Sequence, residues 1–326
     1  MKAIVYTDYG SPDVLRLAEV AKPVPHDHEV LIKVHAATVT AGDVNMRGFT
    51  FVPPGFGLLP RLMFGLRRPK KAILGTELAG EVEAVGRNVT TFKPGDQVFG
   101  IGSNVVGAYA EYVCRPAAGA LALKPANLTY AEAAALPFGT GTALYFLRDK
   151  ARLQAGQKVL VIGASGGVGV YAVQLAKYFG AQVTGVCSTA NVDLVKSLGA
   201  DKVIDYTRQS FTQTGDTYDI IVDTVAGQTS FARCKNSLAP QGLYLAVAGG
   251  LWEMLQSVWT PITVGKQVVT GTPVEQPADL NFIKELVEAG KIKPVIDRRY
   301  TLAQTAEAHR YVDTGRKKGS VIITVA

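Results

Sequence analysis

The chain contains 326 residues, a length typical of two globular domains. Hydrophobic residues make up 48% of it and charged residues 19%, a composition typical of a globular rather than a disordered protein. The net charge is +7, but the basic residues form no long block, so we interpret them mainly as solvated surface. Contact with phosphate groups or anionic lipid is the alternative interpretation.

Cysteine usage and the N-terminal segment both bear on the compartment. Cys114, Cys187 and Cys234 share no metal-ligand spacing and form no disulfide framework, which fits a reducing compartment. The segment MKAIVYTDYG lacks a charged stretch followed by a long apolar run, and no stretch reaches the length of a transmembrane helix. We therefore expect a cytoplasmic protein.

The first third of the chain is predicted to be rich in β-strands. Turns of glycine, proline and Asx residues, as in KPGD at 93–96, separate short apolar runs. These runs predict strands at residues 3–6, 29–36, 80–85, 96–100 and 110–114.

Residues 49–71 form a long apolar loop, FTFVPPGFGLLPRLMFGLRRPKK, whose prolines and glycines oppose a long helix. A loop of this length in a compact domain is usually functional or mobile. One hypothesis is a lid over a hydrophobic substrate, with Phe56, Leu59 and Phe64 as wall residues. A packed surface excursion is an equal alternative, and contact of the loop and its basic end with an anionic membrane surface is a third.

From residue 130 the pattern changes to alternating helices and strands, which predicts a parallel sheet covered by helices. Its first unit is QKVLVIGASGGVGVYAVQLAKYFG at 157–180: an apolar strand, a glycine turn and an amphipathic helix that ends at Gly180. A later strand at 267–272, a helix at 281–289 and a final strand at 320–325 complete the prediction.

The glycine turn indicates a dinucleotide site, because backbone N–H groups of such a turn can approach a pyrophosphate at a helix N-terminus. The spacing is G-x-x-G-x-x-G, and a tight turn whose glycines serve only packing is the alternative. The predicted cofactor-binding residues of the turn are Ser165, Gly166, Gly167 and Val168.

The end of the next strand bears on which nicotinamide cofactor binds. Proteins that prefer NAD usually place a carboxylate there, whereas this strand continues into Ser188 and Thr189, with no carboxylate before Asp193. A hydroxyl-lined pocket with Asn191 beside it can accept a 2′-phosphate, and Lys196 could add charge. We predict NADPH over NADH, and we include Tyr206 in the site; Ser188 and Asn191 could also cap the following helix.

Motifs spread over nearly the whole chain resemble those of the medium-chain dehydrogenase/reductase family, specifically its zinc-independent quinone oxidoreductases (the ζ-crystallin-like group). Each motif is modest, but their order and spacing are specific. They are YGSPDVL at 9–15, GTELAGEVEAVG at 75–86, KPGDQV at 93–98, ALP at 135–137, the glycine turn at 163–169, LGAD at 198–201 and the ending with Ala308, His309, Gly315 and Gly319.

The resemblance implies an α/β protein with a GroES-like, β-rich catalytic domain at 1–123 and 275–326. A doubly wound Rossmann domain at 124–274 would bind NADPH. It also implies a homodimer, for which the strand at 267–272 is a plausible pairing edge. By the same resemblance, Thr142 lies near the nicotinamide ring, and Ala248 and Gly249 line the cofactor cleft.

Zinc-containing relatives carry Gly-His-Glu where this chain has Gly75-Thr76-Glu77. No cysteine lies near residues 36–43 to begin a ligand set, and the four histidines match no ligand motif. We therefore predict no metal, and we expect His309 to pack or cap within the C-terminal helix.

Without a Lewis acid, hydride addition to a conjugated electrophile is the easier reaction. We therefore predict reduction of quinones or α,β-unsaturated carbonyls. The family's substrate motif falls at 37–43, where Thr40 replaces the Asn of many relatives and Asp43 matches; we expect Asp43 to be structural rather than a general acid. The catalytic residue stays unassigned, and the substrate-side candidates are Thr40, Asp43, Phe56 and Phe64.

Two other functions are weighed. One is an enoyl-thioester reductase, and the other is a non-catalytic member that senses NADPH or binds nucleic acid. The chain lacks an aromatic–basic nucleic-acid signature, so we expect no nucleic-acid partner.

Overall fold

The computed structural model describes residues 1–50, 65, 68–102, 105–225, 227–263 and 265–325. The chain divides into two compact units. The first unit comprises Met1–Phe138, Glu275–Ala289 and Lys293–Ala326, and the second comprises Gly139–Val274 and Gly290–Ile292.

The helices are mostly short. The α-helices are α1 (Ala41–Gly48), α2 (Tyr130–Ala134), α3 (Pro137–Leu144), α4 (Gly169–Tyr178), α5 (Val192–Ser197), α6 (Phe231–Cys234), α7 (Leu251–Thr263), α8 (Pro277–Glu288) and α9 (Thr305–Asp313). A π-helical segment, Tyr145–Lys150, follows α3. Single 3₁₀ turns lie at Pro12–Val14, Thr189–Asn191, Phe211–Gln213, Lys235–Ser237 and Leu302–Gln304.

The first unit is built on a seven-stranded sheet in which β15 pairs with β3, β3 with β4 and β6, and β4 with β5. All of its pairings are antiparallel except that of β14 with β15. A separate hairpin joins β1 to β2. The strands are β1 (Lys2–Val5), β2 (Arg16–Glu19), β3 (Glu29–Thr38), β4 (Glu77–Val85), β5 (Gln97–Ile101), β6 (Tyr112–Pro116), β7 (Leu121–Leu123), β14 (Ile296–Thr301) and β15 (Ser320–Thr324).

The C-terminal strand completes this sheet. Ile322 of β15 lies opposite Thr38 of β3, so the last strand of the chain extends the N-terminal sheet. The core combines residues of both chain ends, since Val321 and Ile323 are fully buried with Ile32 and Val34. Burial of such apolar side chains is the main stabilising contribution to the unit.

The second unit is a six-stranded parallel sheet with the order β10-β9-β8-β11-β12-β13. The first strand, β8, therefore lies between β9 and β11, and the sheet grows outward from it in both directions; such a switch point is where doubly wound sheets bind ligands. This architecture confirms the predicted fold class. The strands are β8 (Lys158–Ile162), β9 (Gln182–Cys187), β10 (Lys202–Asp205), β11 (Tyr218–Asp223), β12 (Leu238–Ala246) and β13 (Gln267–Val269).

The edge strand and the cysteines can be compared with the sequence-based predictions. The strand predicted at 267–272 is present as the edge strand β13, but it ends at Val269. Cys114, Cys187 and Cys234 are free thiols. Among the helices that the structure describes, none is both long enough and apolar enough to cross a membrane.

Candidate active site

The glycine turn between β8 and α4 packs so closely that side chains cannot be added at Gly163 or Gly169. A Cβ on Gly169 would lie 2.1 Å from the carbonyl oxygen of Gly163, and a Cβ on Gly139 would lie 2.3 Å from that of Gly167. Gly163 also has a φ of 77°, which favours glycine. Close packing therefore requires glycine at these positions, which agrees with the interpretation that the glycines serve packing.

The same turn also presents unpaired donors. In the described part of the chain, the backbone N–H groups of Ser165, Gly167 and Val168 have no hydrogen-bond acceptor. They precede α4, a ten-residue helix whose N-terminus carries a partial positive charge. Free amides and a helix N-terminus form an anion cradle, so the residues present fit a pyrophosphate.

Beside the turn lies a cluster of two hydroxyls and an amide. The Asn191 Nδ2 group donates to Ser165 Oγ at 3.0 Å and to Ser188 Oγ at 3.2 Å. Ser188 and Asn191 occupy the N-cap positions of the 3₁₀ turn Thr189–Asn191 and of α5, but neither side chain makes a capping hydrogen bond. The buried Asn191 Oδ1 has no hydrogen-bond partner among the described residues, and a ribose hydroxyl could supply the missing donor.

A carboxylate that the sequence pattern did not predict lies near this cluster. Asp205, the last residue of β10, is in register with Cys187 of β9. Thr189 Oγ1 donates to Asp205 Oδ2 at 2.5 Å, and Thr207 donates to Oδ1 from its backbone N–H at 3.0 Å and its hydroxyl at 2.7 Å. These hydrogen bonds hold the pKa of Asp205 below its usual value. Asp205 is recognised as a neighbour of the cluster only from the pairing of β9 with β10, which brings the ends of these two strands together.

The other predicted cofactor residues also lie in the second unit, where the Tyr206 N–H donates to the Cys187 carbonyl at 3.1 Å. Thr142 is on α3 and 7% exposed. Ala248 and Gly249 follow β12 at the carboxyl edge of the sheet. Tyr206 is 62% exposed, and Lys196 is also exposed.

In the first unit, Thr40 and Asp43 form a reciprocal cap on α1. Thr40 Oγ1 accepts from the Asp43 N–H at 3.0 Å, and Asp43 Oδ2 accepts from the Thr40 N–H at 2.9 Å and from its hydroxyl at 2.6 Å. Asp43 is fully buried, and burial raises its pKa although the Thr40 hydrogen bonds oppose the shift. Its Oδ1 has no hydrogen-bond partner among the described residues.

Thr76 and Glu77 extend this polar cluster from the start of β4. Thr76 Oγ1 lies 3.4 Å from Asp43 Oδ2, a long hydrogen bond. Glu77 accepts from the Thr38 hydroxyl and, at 2.6 Å, from the Phe138 N–H. Burial raises the pKa of Glu77 to about 7, against the lowering effect of these two donors.

Lys317 supplies positive charge to the cluster from the loop before β15. Its ammonium donates to the Val39 carbonyl at 3.4 Å, and burial lowers its pKa while Glu77 and Asp43 raise it. Its charge in turn lowers the pKa of Glu77. The cluster thus contains two buried carboxyl groups and one lysine, none of which the sequence analysis brought together.

A second hydrogen-bonded chain reaches the cluster from α9. Arg47 donates to Asp313 Oδ2 at 3.0 Å, and its Nη1 lies 3.1 Å from His309 Nδ1. His309 Nε2 lies 3.2 Å from the Tyr109 hydroxyl, which donates to the Thr38 carbonyl at 3.0 Å. His309 is fully buried inside the unit, in agreement with a packing role.

The donor set of the cluster is poor for zinc. The side chains at 40 and 76 are hydroxyls, whereas zinc sites use thiolate, imidazole and carboxylate ligands. Within the described ranges, no group of three or more His, Cys, Asp or Glu side chains is placed to hold a metal ion. Phe56, Leu59 and Phe64, and with them most of the predicted lid, lie outside the described residues.

Comparison with known proteins identifies both parts of the chain. The alcohol dehydrogenase GroES-like domain family matches residues 26–125, and the family described as zinc-binding dehydrogenase matches residues 198–323. A 2-methylene-furan-3-one reductase of Solanum lycopersicum is 37% identical over 99% of this chain and 79% of its own length. A chloroplastic quinone-oxidoreductase homolog of Spinacia oleracea is 34% identical, over 99% of this chain and 98% of its own.

The solved structures agree with these relatives. The quinone oxidoreductase of Coxiella burnetii superposes with a TM-score of 0.86 at 28% identity, over 100% of this chain and 99% of that chain. The full-length relatives, the parallel sheet with its glycine turn and the GroES-like match all point to one family. The chain belongs to the quinone oxidoreductases of the medium-chain dehydrogenase/reductase family and is an oxidoreductase that uses a nicotinamide cofactor.

Proposed function

We propose that this enzyme reduces quinones and α,β-unsaturated carbonyls with NADPH and without zinc. The observation that carries the proposal is the set of side chains around Asp43. Thr40 and Thr76 present hydroxyl groups there, which are poor ligands for a Lewis-acidic metal ion such as zinc. A substrate that is already electrophilic needs only hydrogen-bond donors to stabilise the enolate or hydroquinone anion. The tomato and spinach relatives are named for an enone reductase and a quinone oxidoreductase.

The second unit would hold the cofactor. Its pyrophosphate would bind the free amides of the glycine turn, and its adenosine ribose would bind Ser188 and Asn191. Asp205 is already engaged by Thr189 and Thr207, which leaves it poorly placed to select a ribose 2′-hydroxyl and supports NADPH over NADH. Bound NADPH supplies a hydride to the electrophilic carbon.

The first unit would bind the substrate oxygen. The Thr40 hydroxyl proton is committed to Asp43 at 2.6 Å, whereas the Thr76 hydroxyl makes only the 3.4 Å contact. Thr76 can therefore turn its proton to a carbonyl oxygen at lower cost, and we assign it that role. Asp43 then acts as a positioning residue, which agrees with its buried capping geometry.

Steady-state kinetics with quinones, enals, enones and an enoyl-thioester test this function. We expect a higher kcat/KM with NADPH than with NADH, and Ser188→Asp should reverse that preference because a carboxylate repels the 2′-phosphate. Ser197→Asp, on the exposed end of α5, is the matched control. A preference of the unmodified enzyme for NADH would reject the cofactor assignment. Tight NADPH binding without turnover of any substrate would favour a sensing protein.

Assembly and location are part of the same proposal. We assign the catalytic domain to residues 1–123 and 275–326 and the NADPH-binding domain to 124–274, in a cytoplasmic homodimer that pairs through the edge strand β13. A single protomer mass in sedimentation equilibrium would refute the dimer. Fractionation of cells would test the location, since the spinach relative is named as chloroplastic.

A further inference from the structure

A cavity of about 170 Å³ lies in the first unit beside β4. Leu78 of β4 lines the cavity, whereas none of the cluster residues Thr40, Asp43, Thr76, Glu77 and Lys317 does. The cavity and the polar cluster are therefore distinct sites. The cavity walls are mostly apolar, with Ile101, Val105, Pro116, Ala120 and Leu121 among them.

Two charged side chains, Arg115 and Glu275, line this apolar cavity, and the guanidinium of Arg115 is only partly satisfied. Arg115 of β6 is 4% exposed, and its Nη1 donates to the Val106 carbonyl at 3.1 Å. Its Nε and Nη2 are shielded from solvent and have no hydrogen-bond partner among the described residues. Buried donors of a charged group that lack acceptors are costly, so an acceptor at this position would be stabilising.

The surrounding charges do not supply that acceptor. Burial lowers the pKa of Arg115 to about 10, while the negative charge of Glu275 opposes the shift, so the guanidinium remains charged at pH 7. Glu275 also lines the cavity, yet no hydrogen bond joins it to Nε or Nη2 of Arg115. The cavity thus combines an apolar wall, the carboxylate of Glu275 and a planar cation whose Nε and Nη2 have no hydrogen-bond partner among the described residues.

We propose that this cavity is a second binding site, for a small carboxylate with a short apolar body. A guanidinium offers parallel donors that match the two oxygens of a carboxylate. A cavity of about 150 Å³ in another protein binds benzene, which has about six non-hydrogen atoms, so this cavity has room for a molecule of the size of butyrate. The apolar wall would cover the alkyl chain, and Arg115 would bind the carboxylate. This site is independent of the proposed reduction reaction.

Calorimetric titration of the full chain with butyrate, in the presence of saturating NADPH, tests the proposal. We expect saturable binding of one butyrate per chain and at least tenfold weaker binding of butanamide, which has the same size without the charge, and of inorganic phosphate, which lacks the apolar body. Arg115→Met should weaken butyrate binding by about tenfold or more, because it removes a charge-assisted hydrogen bond. Ala120→Phe, which keeps Arg115 and fills the cavity, should abolish binding.

Three binding results would overturn the proposal. They are the absence of saturable butyrate binding, equal affinity for butanamide, and unchanged affinity in Ala120→Phe. Competition of butyrate with an enone substrate would also overturn it, because the ligand would then occupy the polar cluster. If Arg115→Met does not fold, the comparison with butanamide and the Ala120→Phe variant still test the proposal. None of these results bears on turnover of quinones, which tests the proposed function separately.

Discussion

Arg47 Nη1 lies 3.1 Å from His309 Nδ1, and this contact determines which ring nitrogen of His309 carries the proton. Because a guanidinium only donates, Nδ1 must accept and Nε2 must carry the hydrogen. His309 Nε2 therefore donates to the Tyr109 hydroxyl, which donates in turn to the Thr38 carbonyl. The next group along, the Thr38 hydroxyl, binds Glu77. A continuous series of hydrogen bonds thus runs from α9 to the buried Glu77 carboxyl group of the candidate site.

Replacing His309 by leucine should destabilise the protein by about 2–4 kcal/mol, because two buried polar partners lose their acceptor or donor. His26→Leu removes an exposed imidazole and is the matched control. Denaturant unfolding at pH 7 measures the difference. Equal stability of the two variants would show that the chain of hydrogen bonds contributes little.

The same histidine predicts a pH dependence. Burial, aided by the charge of Arg47, lowers the pKa of His309 to about 3. The unfolded chain binds a proton near pH 6.5 and the folded chain does not, so the stabilisation is complete above that pH and is lost as the pH falls toward 3. The stability difference between the unmodified protein and His309→Leu should therefore shrink between pH 6.5 and 4.5. A difference that is constant over this range would contradict a neutral buried imidazole.

Glu77 should show the opposite dependence. Burial raises its pKa from 4.5 to about 7, so the folded state binds the extra proton between these values and loses stability as the pH rises through them. Relative to Glu77→Gln, the unmodified protein should lose on the order of 2–3 kcal/mol between pH 4.5 and 8. Thermal unfolding of both proteins measures this change, with Glu307→Gln, an exposed glutamate, as the control. If the stabilities of the unmodified protein and Glu77→Gln changed equally with pH, the Glu77 carboxylate would lie in a polar environment.

Because Thr40 and Thr76 carry hydroxyls, the polar cluster around Asp43 should bind zinc poorly. We expect less than about one tenth of a zinc ion per chain in the unmodified protein. Thr40→Cys combined with Thr76→His supplies a thiolate and an imidazole near Asp43, and should raise zinc content by at least tenfold. Elemental analysis of untagged protein, after dialysis against zinc, measures both. Stoichiometric zinc in the unmodified protein would overturn the zinc-free mechanism.

Gly169 and Gly141 of the second unit provide a matched pair of glycine-to-alanine substitutions. A Cβ at Gly169 would lie 2.1 Å from the Gly163 carbonyl oxygen, so Gly169→Ala should cost about 1–3 kcal/mol and weaken NADPH binding. A Cβ at Gly141 meets no atom within 4 Å, and Gly141→Ala in α3 should stabilise by about 0.5–1 kcal/mol. Thermal unfolding and fluorescence titration with NADPH test the pair. Similar effects of both substitutions would contradict the close packing of the turn.

Local patterns predicted the local structure well. The apolar run and glycines at 157–180 predict β8, the turn and α4, because strand and helix periodicity and turn conformation depend on neighbouring residues. The positions of Thr40 and Asp43 correspond to a capping box, in which both partners lie within one helical turn. Motif order over the whole chain was enough to indicate the family.

Contacts between distant segments could not be predicted in this way. His309 lies 262 residues from Arg47 and 200 from Tyr109, and no spacing rule connects positions so far apart. Asp205 reaches Thr189 only because β9 and β10 are neighbours in register, and Lys317 faces Glu77 only because the C-terminal strand returns to β3.

The amino-acid sequence by itself thus determined the family, the glycine turn and the replacement of the zinc-binding histidine by Thr76, since each is a matter of residue type and short spacing. The tertiary structure alone decided which polar groups share a buried environment. Sheet pairing and burial brought Asp43, Glu77 and Lys317 together and shifted their pKa values, because desolvation and charge act through space rather than along the chain.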